Sequence, residues 1–147
     1  MIKTAGHQQV RVRENVRGGE GALVFHDFLV TEESFGAGKL FSRTVLPAGT
    51  SIGEHRHDGE FEVYYVLAGV VEVLDCGVWT RLDRGDMHLC ASGESHALRN
   101  NGTQEAEVLT LILKDKTKKK YIRIKFKEGE KQFVFPNAFI DGYLHLK

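Results

Sequence analysis

The sequence predicts an all-β fold of the jelly-roll type, in which short strands roll into a double-stranded β-helix barrel. Sixteen glycines and only two prolines punctuate the chain, and short runs rich in β-branched and aromatic residues lie between them. These runs are evenly spaced, and no long amphipathic helical pattern competes with them. At 147 residues, the chain is long enough for one domain with a single core.

Strands are expected where alternating or apolar runs lie between turn signals. In chain order they cover residues 22–30, 39–46, 62–67, 70–74, 78–82, 87–90, 96–99 and 107–113. The segment Asp75-Cys-Gly77 predicts a tight hairpin, and Asn100 is expected to pin a second turn, Asn100-Asn-Gly102. Residues 11–17 are interpreted as a single turn of helix.

The β pattern continues after residue 120, with predicted strands at 121–126, 131–135 and 143–146. In the first of these, polar and apolar side chains alternate as they do in a half-buried strand. We therefore predict one domain, in which residues 1–113 form the barrel with its N-terminal strand. Residues 114–147 would be a β-rich C-terminal extension of that same domain, with extra strands appended to the barrel.

Charge is unevenly distributed along a chain whose formal net charge is zero. Residues 1–113 hold 10 Lys or Arg and 16 Asp or Glu, whereas residues 114–147 hold 10 and 4. The change falls at the lysine-rich stretch 114–120, which we interpret as a solvated connector that protects a strand edge. A nucleic-acid-binding patch is the less favoured alternative, since neither arginine nor aromatic residues interleave the run.

Cysteine and hydropathy patterns point to a cytoplasmic protein. Cys76 and Cys90 fit neither a disulfide framework nor a zinc motif, so both are expected to be free thiols. No apolar run approaches the roughly 18 residues that a membrane span needs. Residues 1–10 also lack the apolar centre of a secretory signal.

Three histidines and a glutamate are the candidates for chemistry. His55 and His57 are two residues apart, so on a strand both would point to the same face. Glu62 opens the next strand after a turn, and His96 starts a later one. Three imidazoles and a carboxylate suit one divalent transition metal, whether Mn, Fe, Co, Ni, Cu or Zn. Glu60 is the main rival of Glu62 for the fourth position.

The spacing around these residues resembles the two motifs of the cupin superfamily, in its small single-domain, cupin-2 form. In the first motif, five residues separate Gly49 from His55 and one separates His55 from His57. Four residues then separate His57 from Glu62, and six separate Glu62 from Gly69. In the second motif, five residues separate Gly85 from Ala91-Ser-Gly93, two separate this segment from His96, and three separate His96 from Asn100. Ala91 replaces the usual proline. The short gap at 70–84 is typical of compact bacterial members. The resemblance covers residues 49–100 and implies a metal bound by His55, His57, Glu62 and His96.

The resemblance also implies a range of functions. One is a metal-dependent enzyme acting on a small polar substrate, a carboxylate or sugar derivative, as an isomerase, decarboxylase, lyase or dioxygenase. The alternative is a non-catalytic protein that binds or senses a small, sugar-type molecule, so whether the chain is an enzyme stays open at this point. Small cupins are often homodimers that exchange N-terminal strands, and we expect the same here.

Four further side chains are candidates for the pocket. Tyr64 shares a strand face with Glu62 and is the candidate catalytic proton donor, although a core tyrosine is the alternative. His88 is interpreted as a structural histidine. Arg17 and Glu20 precede the first barrel strand and could reach a polar ligand at the mouth of the barrel.

Overall fold

A computed structural model of the chain describes residues 1–117 and the backbone of two later strands, Tyr121–Ile124 and Phe133–Pro136. The chain divides into two compact units, Met1–Asp115 and Lys116–Lys147. The division falls two residues after the predicted boundary at 113. That both units form one domain stays a prediction, and the predicted strand at 143–146 lies outside the described residues.

The first unit is built from ten strands and three short 3-10 turns. The strands are β1 (Gln9–Glu14), β2 (Ala22–Leu29), β3 (Gly38–Leu46), β4 (Ser51–Arg56), β5 (Glu60–Ala68), β6 (Val70–Asp75), β7 (Val78–Asp83), β8 (Met87–Cys90), β9 (Ser95–Arg99) and β10 (Ala106–Lys114). The turns are Ala5–His7, Val16–Gly18 and Thr31–Ser34. No helix in the described part of the chain is long and apolar enough to cross a membrane.

The strands form two antiparallel sheets, as the jelly-roll prediction requires. One sheet has the order β1-β2-β3-β10-β5-β8, and the other has the order β4-β9-β6-β7. Side chains of both sheets meet in one core, because alternate residues on each strand point inwards. The core includes Leu23, Phe25, Leu46, Tyr64 and Val66 from the first sheet and Ile52, Val71, Val73 and Leu98 from the second.

All eight predicted barrel strands are present, with ends that differ by at most two residues. The predicted hairpin is also confirmed, since Asp75 pairs with Val78 across the two-residue turn Cys76-Gly77. Both turn residues have positive φ, 49° and 81°, which is the conformation that matches the twist of a hairpin.

The interpretation of residues 11–17 as a helical turn was wrong for most of that segment. Residues up to Glu14 belong to β1, which pairs along its whole length with β2. Only Val16–Gly18 forms a 3-10 turn. Val10 and Val12 alternate with Arg11 and Arg13, and pairing with a neighbouring strand outweighs the weak local preference of so polar a run.

Candidate metal centre

Strand pairing brings the four predicted ligands together inside the barrel. His55 on β4 lies directly opposite His96 on β9. His57 follows the last residue of β4, and its backbone exchanges hydrogen bonds with the loop before β9. Glu62 comes from β5 in the other sheet. One donor atom from each side chain lies within 4.8 Å of the other three.

The distances in this cluster suit a single small cation. The Oε2 atom of Glu62 lies 2.8 Å from Nε2 of His96, 3.0 Å from Nε2 of His57 and 3.4 Å from Nε2 of His55. The Nε2 atom of His96 is 3.1 Å from that of His57 and 3.3 Å from that of His55. Neighbouring ligands at right angles on metal bonds of about 2.1 Å are about 3.0 Å apart. The donor set therefore fits a divalent transition metal.

Hydrogen bonds behind two of the three histidines, His55 and His57, orient their rings for a metal. Nδ1 of His55 lies 2.9 Å from the carbonyl oxygen of Gly53, and Nδ1 of His57 lies 3.3 Å from Oε1 of Glu60. In the metal-bound form, a proton on Nδ1 would let each ring donate to its oxygen and would leave the Nε2 lone pair free for the ion. Lys39 holds Glu60 in turn, 2.6 Å away. Glu60 thus supports His57 from behind and is not one of the four converging donors.

Charge interactions keep Glu62 ionised, as a metal ligand must be. Burial raises the pKa of this carboxyl, but hydrogen bonds from His55, His57 and His96 outweigh burial and hold the pKa well below 4.5. For His57, burial lowers the pKa, and the carboxylates of Glu62 and Glu60 raise it above its ordinary value. For His96, burial dominates and lowers the pKa.

Tyr64 is fully buried beside the cluster. Its hydroxyl donates a 3.0 Å hydrogen bond to Oε2 of Glu62, and its ring stacks on that of His96 with centroids 5.1 Å apart. Burial and the Glu62 carboxylate raise the pKa of Tyr64 well above 10, while the positive charge of Arg17 acts in the opposite direction. The phenol therefore keeps its proton and serves as a hydrogen-bond donor. A catalytic role for it stays a prediction.

A second group of donors lies next to the first and was missed from the sequence. Cys90 pairs with Glu62 and His88 pairs with Tyr64 in the β5–β8 register. Donor atoms of His88, Cys90 and His96 lie within 4.8 Å of one another, so His96 belongs to both groups. Both cysteines are free thiols, as predicted. The even spacing of His88 and Cys90 on one strand was the signal that could have placed Cys90 in the interior.

A cavity of about 630 Å³ opens onto the candidate metal centre. His55, Glu62 and Tyr64 line it together with apolar residues such as Ile52 and Ile112. Arg17 also lines this cavity, as the sequence suggested, whereas Glu20 is not among its lining residues. A small molecule in this cavity could therefore reach an ion bound at the candidate metal centre.

The fold and this cluster define a small jelly-roll barrel with a candidate transition-metal centre. The family profile described as "Cupin domain" matches residues 42–112. A relative named oxalate-binding protein, from Thermotoga maritima, is 39% identical over 99 residues, which are 67% of this chain and 82% of the relative. The chain belongs to the cupin family.

Solved structures agree with this assignment. A crystal structure of a predicted oxalate decarboxylase from Thermotoga maritima superposes with a TM-score of 0.74 at 35% identity, over 78% of this chain and 100% of that one. The cupin domain of an XRE family transcriptional regulator from Enterobacter cloacae has a TM-score of 0.53 at 21% identity, over 64% of this chain and 98% of that one. The second likeness shows the fold alone.

Proposed function

We propose that the chain binds one divalent transition metal through His55, His57, Glu62 and His96, and binds a small dicarboxylate such as oxalate at that metal. The observation that carries the proposal is the convergence of the four donors at the buried end of an open cavity. A bound metal would supply positive charge for carboxylate oxygens. The names of the two Thermotoga relatives support oxalate as the first ligand to test.

The charge of the cavity supports a dianion as ligand. Four cationic side chains, Arg11, Arg13, Arg17 and Lys39, line it together with four anionic ones, Glu14, Asp27, Glu32 and Glu62. These charges cancel, so a divalent ion would leave the cavity with two net positive charges. A dicarboxylate carries two negative charges and would neutralise the loaded site.

The second candidate is turnover, with decarboxylation of oxalate as the reaction. Its support is the 35% identity to the crystal structure described as a predicted oxalate decarboxylase. In that case the residues that line the cavity would orient the substrate and keep bulk water from its buried end. Tyr64 would hold Glu62 in place through its hydroxyl. A non-catalytic oxalate-binding or sensing protein would use the same residues without forming product.

Elemental analysis and calorimetry together test the proposal. The purified protein should hold about one transition-metal ion per chain, and the metal identified should be used to load the chain for calorimetry. Loaded protein should bind oxalate in a saturable way, and metal-free protein should not. Absence of any transition metal, or equal oxalate binding with and without it, would refute the proposal. An assay for formate and carbon dioxide separates the enzyme from the binding protein.

A further inference from the structure

Arg17 is a cation in the cavity that the metal centre does not use. Its side chain is exposed and lines the same cavity as His55 and Tyr64. Within the described part of the chain, its guanidinium has neither a hydrogen bond nor an ion pair. By contrast, Arg11 is held by both carboxylate oxygens of Asp27, at 2.5 and 2.8 Å, and Lys39 by Glu60. All the N–H donors of the Arg17 guanidinium are therefore available to a ligand.

The backbone of Arg17 is held in a conformation that non-glycine residues rarely adopt. Its φ and ψ are 55° and 29°, in the left-handed region. The turn lies directly on strand β4, because a Cβ atom at Gly19 would lie 2.3 Å from the carbonyl oxygen of Ser51. Likewise, a Cβ atom at Gly53 would lie 2.2 Å from the carbonyl oxygen of Arg17. Only glycine at these two positions permits this contact.

Further bonds join the turn to the strand that carries His55. Ser51 donates its backbone N–H to the carbonyl oxygen of Glu20 at 2.9 Å and accepts the backbone N–H of Glu20 on its hydroxyl at 2.8 Å. Gly53 lies where the pairing of β4 with β9 shifts register. Its carbonyl oxygen is within hydrogen-bond distance of Nδ1 of His55. The same short segment thus positions both a predicted metal ligand and Arg17.

Arg17 lines the same cavity as Glu62 and Tyr64, which are both buried. An arginine on a turn held in this way can meet a carboxylate with two parallel hydrogen bonds, and a metal held by the four donors would attract a second carboxylate. The fixed turn limits the conformational freedom that binding would otherwise cost.

We infer that Arg17 is the second anchor of the ligand, receiving the carboxylate that the metal does not hold and so selecting dicarboxylates over monocarboxylates. The inference rests on the proposed function and adds a specificity-determining residue to it. The turn of residues 15–19 positions the guanidinium, and the Gly19–Ser51 and Gly53–Arg17 contacts hold the turn.

Calorimetry on the metal-loaded, full-length protein tests this, with oxalate and acetate as the two probes. Arg17→Ala should weaken oxalate binding about tenfold to a hundredfold, as expected for the loss of hydrogen bonds between charged groups, and should leave acetate binding and metal content unchanged. Arg17→Lys keeps the positive charge but replaces the planar guanidinium with an ammonium group, and it should recover part of the affinity for oxalate. Arg84→Ala, an exposed arginine away from the cavity, should bind like wild type.

A second variant tests the turn without touching the guanidinium. Gly19 has a φ of −76°, which alanine adopts readily, so Gly19→Ala acts through the close contacts that its Cβ would make with the backbone of Ser51 and Gly53. We expect weaker oxalate binding by the metal-loaded chains, and the metal content of each sample is measured alongside because the same segment positions His55. Oxalate affinity of Arg17→Ala within twofold of wild type would overturn the inference while leaving the proposed function standing. Failure of the loaded wild-type protein to bind oxalate would refute the proposed function and the inference together.

Discussion

At the scale of single residues, His57 is the most direct test of the metal centre. The ring is fully buried, and its Nε2 lies 3.0 Å from Glu62 and 3.1 Å from His96. His57→Ala removes one of four donors and should reduce bound metal from about one ion per chain to a small fraction, as measured by elemental analysis. His7→Ala, in the exposed N-terminal segment, is the control. Equal metal content in the two variants would contradict the ligand assignment.

Tyr64 tests whether the phenol supports the site. Tyr64→Phe keeps the ring on His96 and removes the hydroxyl that donates to Glu62. Loss of this buried bond should lower the free energy of unfolding of the metal-free protein by about 1–2 kcal/mol in urea titrations. Metal affinity should fall about tenfold, as for other groups that support a ligand. Tyr65→Phe, on the opposite face of β5, should change neither quantity.

The pH dependence of the metal-free protein depends in part on Glu62. Because the pKa of this group in the folded state is well below 4.5, the unfolded chain binds more protons than the folded one as the pH falls past 4.5. The stabilisation is therefore present above about 4.5 and is lost as the pH falls towards the folded-state pKa. Glu62→Gln should make the acid loss of stability less steep in denaturant titrations from pH 7 to 3. Glu105→Gln, an exposed control, should not.

At the scale of elements, Asn100 joins the turn after β9 to the end of β3. Its Nδ2 donates to the carbonyl oxygens of Leu46 and Gln104, both at 2.8 Å, and its Oδ1 accepts the backbone N–H of Gly102 at 3.0 Å. The predicted role in pinning the turn is thereby confirmed.

Removing this side chain should destabilise the barrel. Asn100→Ala removes the donor to the carbonyl oxygens of Leu46 and Gln104, the first of these bonds being buried, so we expect a loss of about 2–4 kcal/mol in the free energy of unfolding. The neighbouring Asn101 is exposed, and Asn101→Ala should cost less than about 0.5 kcal/mol. Chemical denaturation of both variants provides the comparison, and similar midpoints would show that the three bonds contribute little.

At the scale of the whole molecule, strand β1 forms one edge of the larger sheet. Val10 and Val12 on it are 54% and 64% exposed. An edge strand with exposed apolar side chains favours pairing with a second chain, so we expect the homodimer that the family resemblance implies. Val10→Glu combined with Val12→Glu should shift the mass seen by light scattering to that of a monomer. Phe35→Glu, at an exposed apolar residue outside the strands, should not.

The lysine-rich stretch 114–120 is interpreted as a solvated connector. Lys114 and Lys116 are exposed, which agrees with a solvated connector, while residues 118–120 lie outside the described part of the chain. The cytoplasmic location and the absence of nucleic-acid binding stay predictions. Binding to duplex DNA at low salt would contradict the second of these.

Local rules were enough to predict most of the strand succession and the hairpin at Cys76-Gly77 from the amino-acid sequence. The set of four candidate ligands was implied by the resemblance to the cupin motifs. Side chains alternate every two residues on a strand, and glycine marks the turns that require positive φ. Local rules failed at residues 11–17, where the strand depends on a partner supplied by β2.

Which side chains meet depends on how the strands pair and pack. In the structure, Glu60 supports His57, Cys90 lies beside Glu62, and the turn that carries Arg17 packs on the backbone of β4. Each of these depends on the register between strands or on a close backbone contact, such as that of Gly53 with the Arg17 turn. Register and close packing join residues that are distant in sequence, and no local periodicity records such contacts.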